Sequence, residues 1–166
     1  YDRETESYWW QAGARAIKGA LDGEQLTILP SFMSRWGDWK QNYSDSQVLS
    51  RNTGYQRDYE EDSYRGYHAP FRPPALPVSA EDDRLPPKER IIGIVVNGQA
   101  KAYPVKLAES GKITDTFNGQ TIEIIGDNLG RTAQAFFVSE GERVRAPVVS
   151  EFWFSWVLAH PDTEIY

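Results

Sequence analysis

Histidine, acidic and aromatic side chains are the residues of this sequence suited to metal, acid–base or ligand-stacking chemistry. His68 and His160 are its only histidines. Neither belongs to an H-x-x-x-H or H-E-x-x-H pair, so no zinc site is expected from them. The pattern places His160 in the last turn of a helix, where a partly charged imidazole suits the negative end of the dipole. Asp58, Glu60, Glu61 and Asp62 offer the oxygen chemistry for Ca²⁺ but miss the D-x-D-x-D-G spacing that wraps a chain around the ion. With Arg57 and Arg65 on either side, this run is expected to balance charge on an exposed loop. No metal site and no cofactor are expected within these residues.

Nucleophilic chemistry is equally poorly supported. The chain has no cysteine, which removes disulfides, thiolate nucleophiles and Cys-ligated metals from these residues. No G-x-S-x-G elbow occurs, and in "GDNLGR" at 126–131 Asp127 would repel a phosphate, so a plain turn is expected there. No catalytic residue is assigned. Six Trp and nine Tyr remain, enough for a sugar-stacking surface or for the core of a small β-rich domain. Trp36, Trp39, Trp153 and Trp156 sit at helical spacings that favour the core. Trp9 and Trp10 are neighbours in a strand pattern and must face opposite sides, which makes one of them a candidate binding surface.

Those side chains must be positioned by a chain of 166 residues, long enough for one ordinary domain. Its net charge of −6, from 18 Lys plus Arg against 24 Asp plus Glu, argues against nucleic acid as a partner. The longest apolar cluster, "FWFSWVLA" at 152–159, is too short to span a membrane. Asn42-Tyr43-Ser44 matches a glycosylation acceptor, a pattern that also arises by chance.

The pattern is mainly β. Asp22-Gly23, Asn97-Gly98 and Asn118-Gly119 are dipeptides of type I′ hairpins, whereas Glu140-Gly141 better suits a longer turn. Around them lie strand-like runs: "ARAIKGA" with "QLTILP", "IIGIVV" with "QAKAYPV", "KITDTF" with "TIEII", and "TAQAFFV" with "ERVRA". "LDGEQLTILP" at 21–30 resembles "FNGQTIEIIG" at 117–126, as a decayed duplication or as two ordinary hairpins. Two short helices are predicted. Ser34 caps one over 34–43, with Trp36, Trp39 and Tyr43 on one face. The other lies near 148–159, with Pro147 at its first position and apolar residues on most of its circumference, and should be buried. Residues 51–90 hold most of the ten prolines and read as a long loop pinned by Tyr55, Tyr59, Tyr64 and Tyr67. The expected fold is α+β, mainly β with two short helices, whose antiparallel hairpins form a partly open barrel or sandwich. A single domain over 1–166 is expected: a hairpin and helix in 1–50, the loop, and hairpins plus a buried helix in 91–166.

Four ordered blocks, "YDRETESYWWQAGARAIKGALDGEQLTILP", "SRWGDWKQNYSDSQVLSRNTGYQRDY", "RLPPKERIIGIVVNGQAKAYPV" and "FWFSWVLAHPDTEIY", together resemble the prokaryotic family known as domain of unknown function 3179, DUF3179. In the family the first block falls near the middle of the domain, after a half that carries C-P-x-C-G-like and N-W-H-E-like segments. Neither occurs here. The family also looks internally duplicated; where its first copy bears the His and Cys segments, this chain has "KLAESGKITD" and "GDNLGRTAQAF".

The resemblance implies that this chain is the C-terminal, non-catalytic portion of an extracytoplasmic or membrane-anchored β-rich domain. The other half, expected to pack here, would carry a Cys/His redox or metal site. Tyr8, Trp9 and Trp10 should then lie beside the surface left by the cut, with an unpaired strand edge. Asp2, Arg3, Trp10, Gln11, Thr53, Gly54, Tyr55 and Arg57 match family-patterned positions and are candidates for lining a shared cleft. A carbohydrate- or peptide-binding module, using an exposed Trp and the tyrosine loop, is the alternative.

Overall fold

A computed structural model describes residues 1–67, 74, 82–109, 111–127 and 132–166. His68, most of the proline-rich part of the 51–90 loop and residues 128–131 of the expected turn lie outside the described residues.

Two four-stranded sheets pack face to face. The strands among the described residues are β1 (Tyr8–Trp10), β2 (Arg15–Lys18), β3 (Arg90–Val96), β4 (Gln99–Pro104), β5 (Lys112–Phe117), β6 (Gln120–Gly126), β7 (Ala133–Ser139), β8 (Glu142–Arg145), β9 (Val149–Phe152) and β10 (Glu164–Ile165). The helices are α1 (Trp36–Asn42) and α2 (Trp153–Ala159). The first large sheet has the order β10-β4-β3-β9, with β10 parallel to β4 and the other pairs antiparallel. The second is the antiparallel meander β5-β6-β7-β8. β1 and β2 form a separate two-stranded ribbon. Neither large sheet closes on itself, so of the two expected architectures the sandwich is the one formed.

Strand β3 explains the layering. It reads RIIGIVV without polar alternation, as a strand covered on both faces must. Ile92, Ile94 and Val96 point to the second sheet and join Ile113, Ile122 and Ile124 in one core. On the other face Ile91 packs with Ala102, Trp153, Trp156 and Val157. Gly93 sits on that face too, and a Cβ there would lie 2.3 Å from the Trp156 ring. The absent side chain is what lets the indole lie against the sheet.

The turns follow their chemistry. Asn97-Gly98 and Asn118-Gly119 both adopt positive φ at each residue, and each joins its strands in two residues. Glu140-Gly141 does the same, with φ of 51° and 82° and Ser139 paired to Glu142, instead of the longer turn expected. The β7 and β8 register leaves room for only two residues. Asp22-Gly23 departs the other way: Gly19 and Gly23 take positive φ in a longer loop, and "QLTILP" contributes only an isolated bridge from Gln25 to Arg15. Leu26 and Leu29 are exposed there, with no layer to bury a third strand. The likeness between 21–30 and 117–126 therefore does not extend to conformation.

Both helices begin later than the pattern suggests. Arg35, not Ser34, occupies the N-cap of α1, and the Ser34 hydroxyl donates to the Arg35 carbonyl. No residue of α1 is buried and Trp36 is 49% exposed, so its expected place in the core is not realised. Pro147 does not open α2. Residues 149–152 pair with the free edge of β3 as β9, and the helix starts at Trp153. Its first backbone N–H groups donate to the carbonyls of Glu89 (2.8 Å) and Pro87 (2.9 Å), which fixes its entry onto the sheet. Trp153 and Trp156 are fully buried, as the all-round apolar pattern requires. Of the loop tyrosines, Tyr55, Tyr59 and Tyr64 are exposed. Tyr67 pins the segment, lying under the Lys88 ammonium at 3.8 Å and beside Phe152 at 6.3 Å.

Candidate ligand cleft on the outer face of the second sheet

Strand alternation sets up the site. In β7 Ala133 and Ala135 point into the core, which turns Gln134 and Phe136 outward. Register places Ile125 opposite Gln134, and Arg145 opposite Phe136, on that same outer face. Residues 32–35 and α1 lie over this end of the sheet, enclosing a cavity of about 570 Å³ between them. That volume falls within the range of small-molecule sites.

The walls combine flat apolar rings with planar polar groups. Trp39 stacks on Tyr43 with centroids 4.3 Å apart and meets Phe32 at 5.9 Å. The indole N–H of Trp39 donates to the Ser46 hydroxyl at 2.7 Å, which fixes the ring. Asp38 pairs with Arg35 at 2.7 Å, and the Asn42 amide donates to the Asp38 carbonyl. Across the cavity the Arg145 guanidinium lies 4.2 Å from the Phe32 ring and 5.7 Å from that of Phe136. It donates one hydrogen bond to Gln134 Oε1 at 3.2 Å. Among the described residues no carboxylate pairs with Arg145, although Arg143, Lys112 and Glu123 form a compact ion-pair row on the same face. The Lys112 hydrogen bond holds the Glu123 carboxyl below its ordinary range.

The residues matching the family pattern lie elsewhere. Asp2 closes a local turn, accepting from the Thr5 hydroxyl and the Glu4 N–H, and these bonds lower its pKa. Arg3 and Gln11 are exposed. Trp10 is half-buried, with the Arg15 guanidinium 5.6 Å over its ring. Thr53, Gly54, Tyr55 and Arg57 are exposed on the long loop, where Thr53 hydrogen-bonds the Tyr59 hydroxyl. No hydrogen bond, ion pair or ring contact among the described residues joins the first four to the last four. Neither Trp9 nor Trp10 is fully buried.

Four other titratable groups belong to the fold. Asp115, between the sheets, accepts from Lys101 and from the buried Tyr103 hydroxyl, each at 2.8 Å. Burial would raise the Asp115 carboxyl, but those two donors overcome it and lower its pKa, while burial and Asp115 push the Tyr103 phenol up. Glu151, on β9 beneath α2, has Oε1 buried without a hydrogen-bond partner in the described structure. Desolvation raises its pKa to about 7 despite a hydrogen bond from Ser155. His160 caps α2 at 4.0 Å from the Trp156 ring. Burial, with Arg15 adding to it, lowers its pKa, which disfavours the partly charged ring expected at the helix end. Among the described residues no group of three or more His, Cys, Asp or Glu converges to hold a metal ion, and no helix is long and apolar enough to cross a membrane.

Phe32, Gln134 and Arg145 escaped the sequence reading. The alternation of "TAQAFFV" and "ERVR" marks Gln134 and Arg145 as outward residues of one sheet face. Nothing local says that residues 32–43 come back to cover them.

The family model described as Protein of unknown function (DUF3179) matches residues 1–146, leaving β9, α2 and β10 beyond its end. No curated protein and no solved structure matches the chain.

Proposed function

This chain belongs to the DUF3179 family, and we propose that within it the chain is a non-catalytic binding module that takes a small carbohydrate ligand in the cleft between α1 and the second sheet. The observation that carries this reading is the pairing of the Phe32, Trp39 and Tyr43 rings with the planar polar groups of Gln134, Asn42 and Arg145 around one cavity. Sugar rings present C–H faces that pack on aromatic surfaces and hydroxyls that need directional partners, and both are supplied here. Saturation-transfer NMR with methyl glycosides tests it. Binding that Trp39→Ala weakens at least tenfold, with the fold intact by circular dichroism, supports the reading; no transfer to any glycoside at millimolar concentration refutes it.

A second reading concerns the first third of the chain. Leu49 is 95% exposed and Tyr55 78%, and Tyr1, Tyr8, Ile17, Leu29, Met33 and Val48 are exposed as well. After residue 67 the exposed large apolar side chains that are described are only Val95, Leu107, Val144 and Tyr166. Apolar surface on this scale is characteristic of an interface. We infer that a second half of the same domain covers residues 1–64, that this half carries the Cys/His redox or metal site, and that the whole works outside the cytoplasm. Extending the reading frame upstream of Tyr1 tests this. A C-x-x-C block there, and a longer chain that melts higher and associates less, support it. A chain of 166 residues that is monomeric and no less stable than any longer one refutes it.

A further inference from the structure

Arg145 gives the cleft a charge preference that the carbohydrate reading alone does not contain. A guanidinium has five N–H donors in a fixed fork and is never neutral near pH 7. Here one donor is used on Gln134. The rings of Phe32 and Phe136 hold the guanidinium plane, so little rotamer freedom is left to lose when a ligand arrives. The other cation of the cleft wall, Arg35, is already matched to Asp38, and the second carboxylate of the lining, Asp127, accepts from the Thr132 N–H at 3.3 Å. Among the described residues Arg145 is thus a preorganised cation without a carboxylate, on the wall facing the Trp39 and Tyr43 rings.

We propose that the cleft selects an acidic sugar, a uronic acid whose ring packs against the aromatic wall formed by Trp39 and whose carboxylate is gripped by the Arg145 fork. This rests on the carbohydrate reading above and adds the anionic group to it. Gln134 is a positioning residue: its Oε1 accepts from Arg145 and leaves the remaining N–H groups for the ligand. A peptide C-terminal carboxylate has the same charge but no polyol ring to meet the amide side chains of Asn42 and Gln134.

The test compares matched probes on the full chain: methyl β-D-glucuronoside, methyl β-D-glucoside and acetyl-Ala-Tyr with a free carboxylate. Affinities come from NMR titration at low and at physiological salt. The glucuronoside is expected to bind at least tenfold more tightly than the glucoside, with the margin shrinking as salt rises. Arg145→Gln should erase the margin, weakening the glucuronoside at least tenfold more than the glucoside, and Arg145→Lys should retain part of it, since a point charge remains without the fork. Equal affinity for the two glycosides overturns the acidic-sugar proposal and leaves the carbohydrate reading standing. Tighter binding of the dipeptide than of the glucuronoside also overturns the proposal, and binding of neither glycoside overturns both. If Arg145→Gln does not fold, the glycoside comparison on the unaltered chain and its salt dependence still decide the matter.

Discussion

Glu151→Gln should stabilise the protein at alkaline pH and do little in acid. Glu151 lies on β9, opposite Ile91 on the face that α2 covers, and its Oε1 has no hydrogen-bond partner in the described structure. Its pKa is raised from an ordinary 4.5 to about 7 because burial penalises the charge. The sign follows from proton binding. Below pH 4.5 both folded and unfolded chains carry the proton, so the carboxyl adds no pH-dependent term. Between 4.5 and about 7 the folded chain keeps a proton that the unfolded chain has released, and stability falls as pH rises; above about 7 the loss is complete. At roughly 1.4 kcal/mol per pH unit, that interval amounts to about 3 kcal/mol. A neutral amide of the same shape removes the term. Urea unfolding of both proteins at pH 5 and pH 8 measures it, with equal m-values required for the comparison. The Gln variant should gain about 3 kcal/mol over wild type at pH 8 and under about 1 kcal/mol at pH 5. A gain independent of pH, or none at pH 8, would show that Glu151 is not a desolvated carboxyl and refute the reasoning.

Two further substitutions probe the layers that carry the cleft. Gly93→Ala should destabilise by about 1–3 kcal/mol, since the new methyl meets the buried Trp156 ring, which is itself tied to the Thr163 hydroxyl at 2.8 Å. Thermal melts together with Trp fluorescence would check this, and an unchanged melting temperature would mean that α2 is not seated on β3 as described. Tyr103→Phe removes a donor to ionised Asp115 and should cost about 1.5–3 kcal/mol near neutral pH. Because the folded Asp115 pKa is lowered from 3.8, that difference should hold from pH 5 to 8 and shrink as pH falls below 3.8, through the folded value. Urea midpoints across that range follow it, and a difference that persists in acid would contradict the ionised pair.

The sequence alone was enough for what depends on neighbours in the chain. Asn97-Gly98 and Asn118-Gly119 became two-residue turns because a positive φ at both positions is a property of those dipeptides. β3, β5 and the buried Trp153–Ala159 helix followed from apolar patterning, and the sequence blocks within residues 1–146 identified the family. Tertiary structure decided whatever depends on a surface made elsewhere. Residues 149–152 could continue a helix by their own pattern, but the open edge of β3 offers them backbone hydrogen bonds and they become β9. "QLTILP" has the composition of a strand, yet no sheet face waits to bury Leu26 and Leu29, and only one bridge forms. His160 reads as a partly charged helix end, and burial in the packed structure disfavours that charge. The cleft is of the same kind. Arg145 and Trp39 are about a hundred residues apart in sequence, and only the packing of α1 over the outer face of β6 and β7 places a fixed cation and an aromatic wall around one cavity.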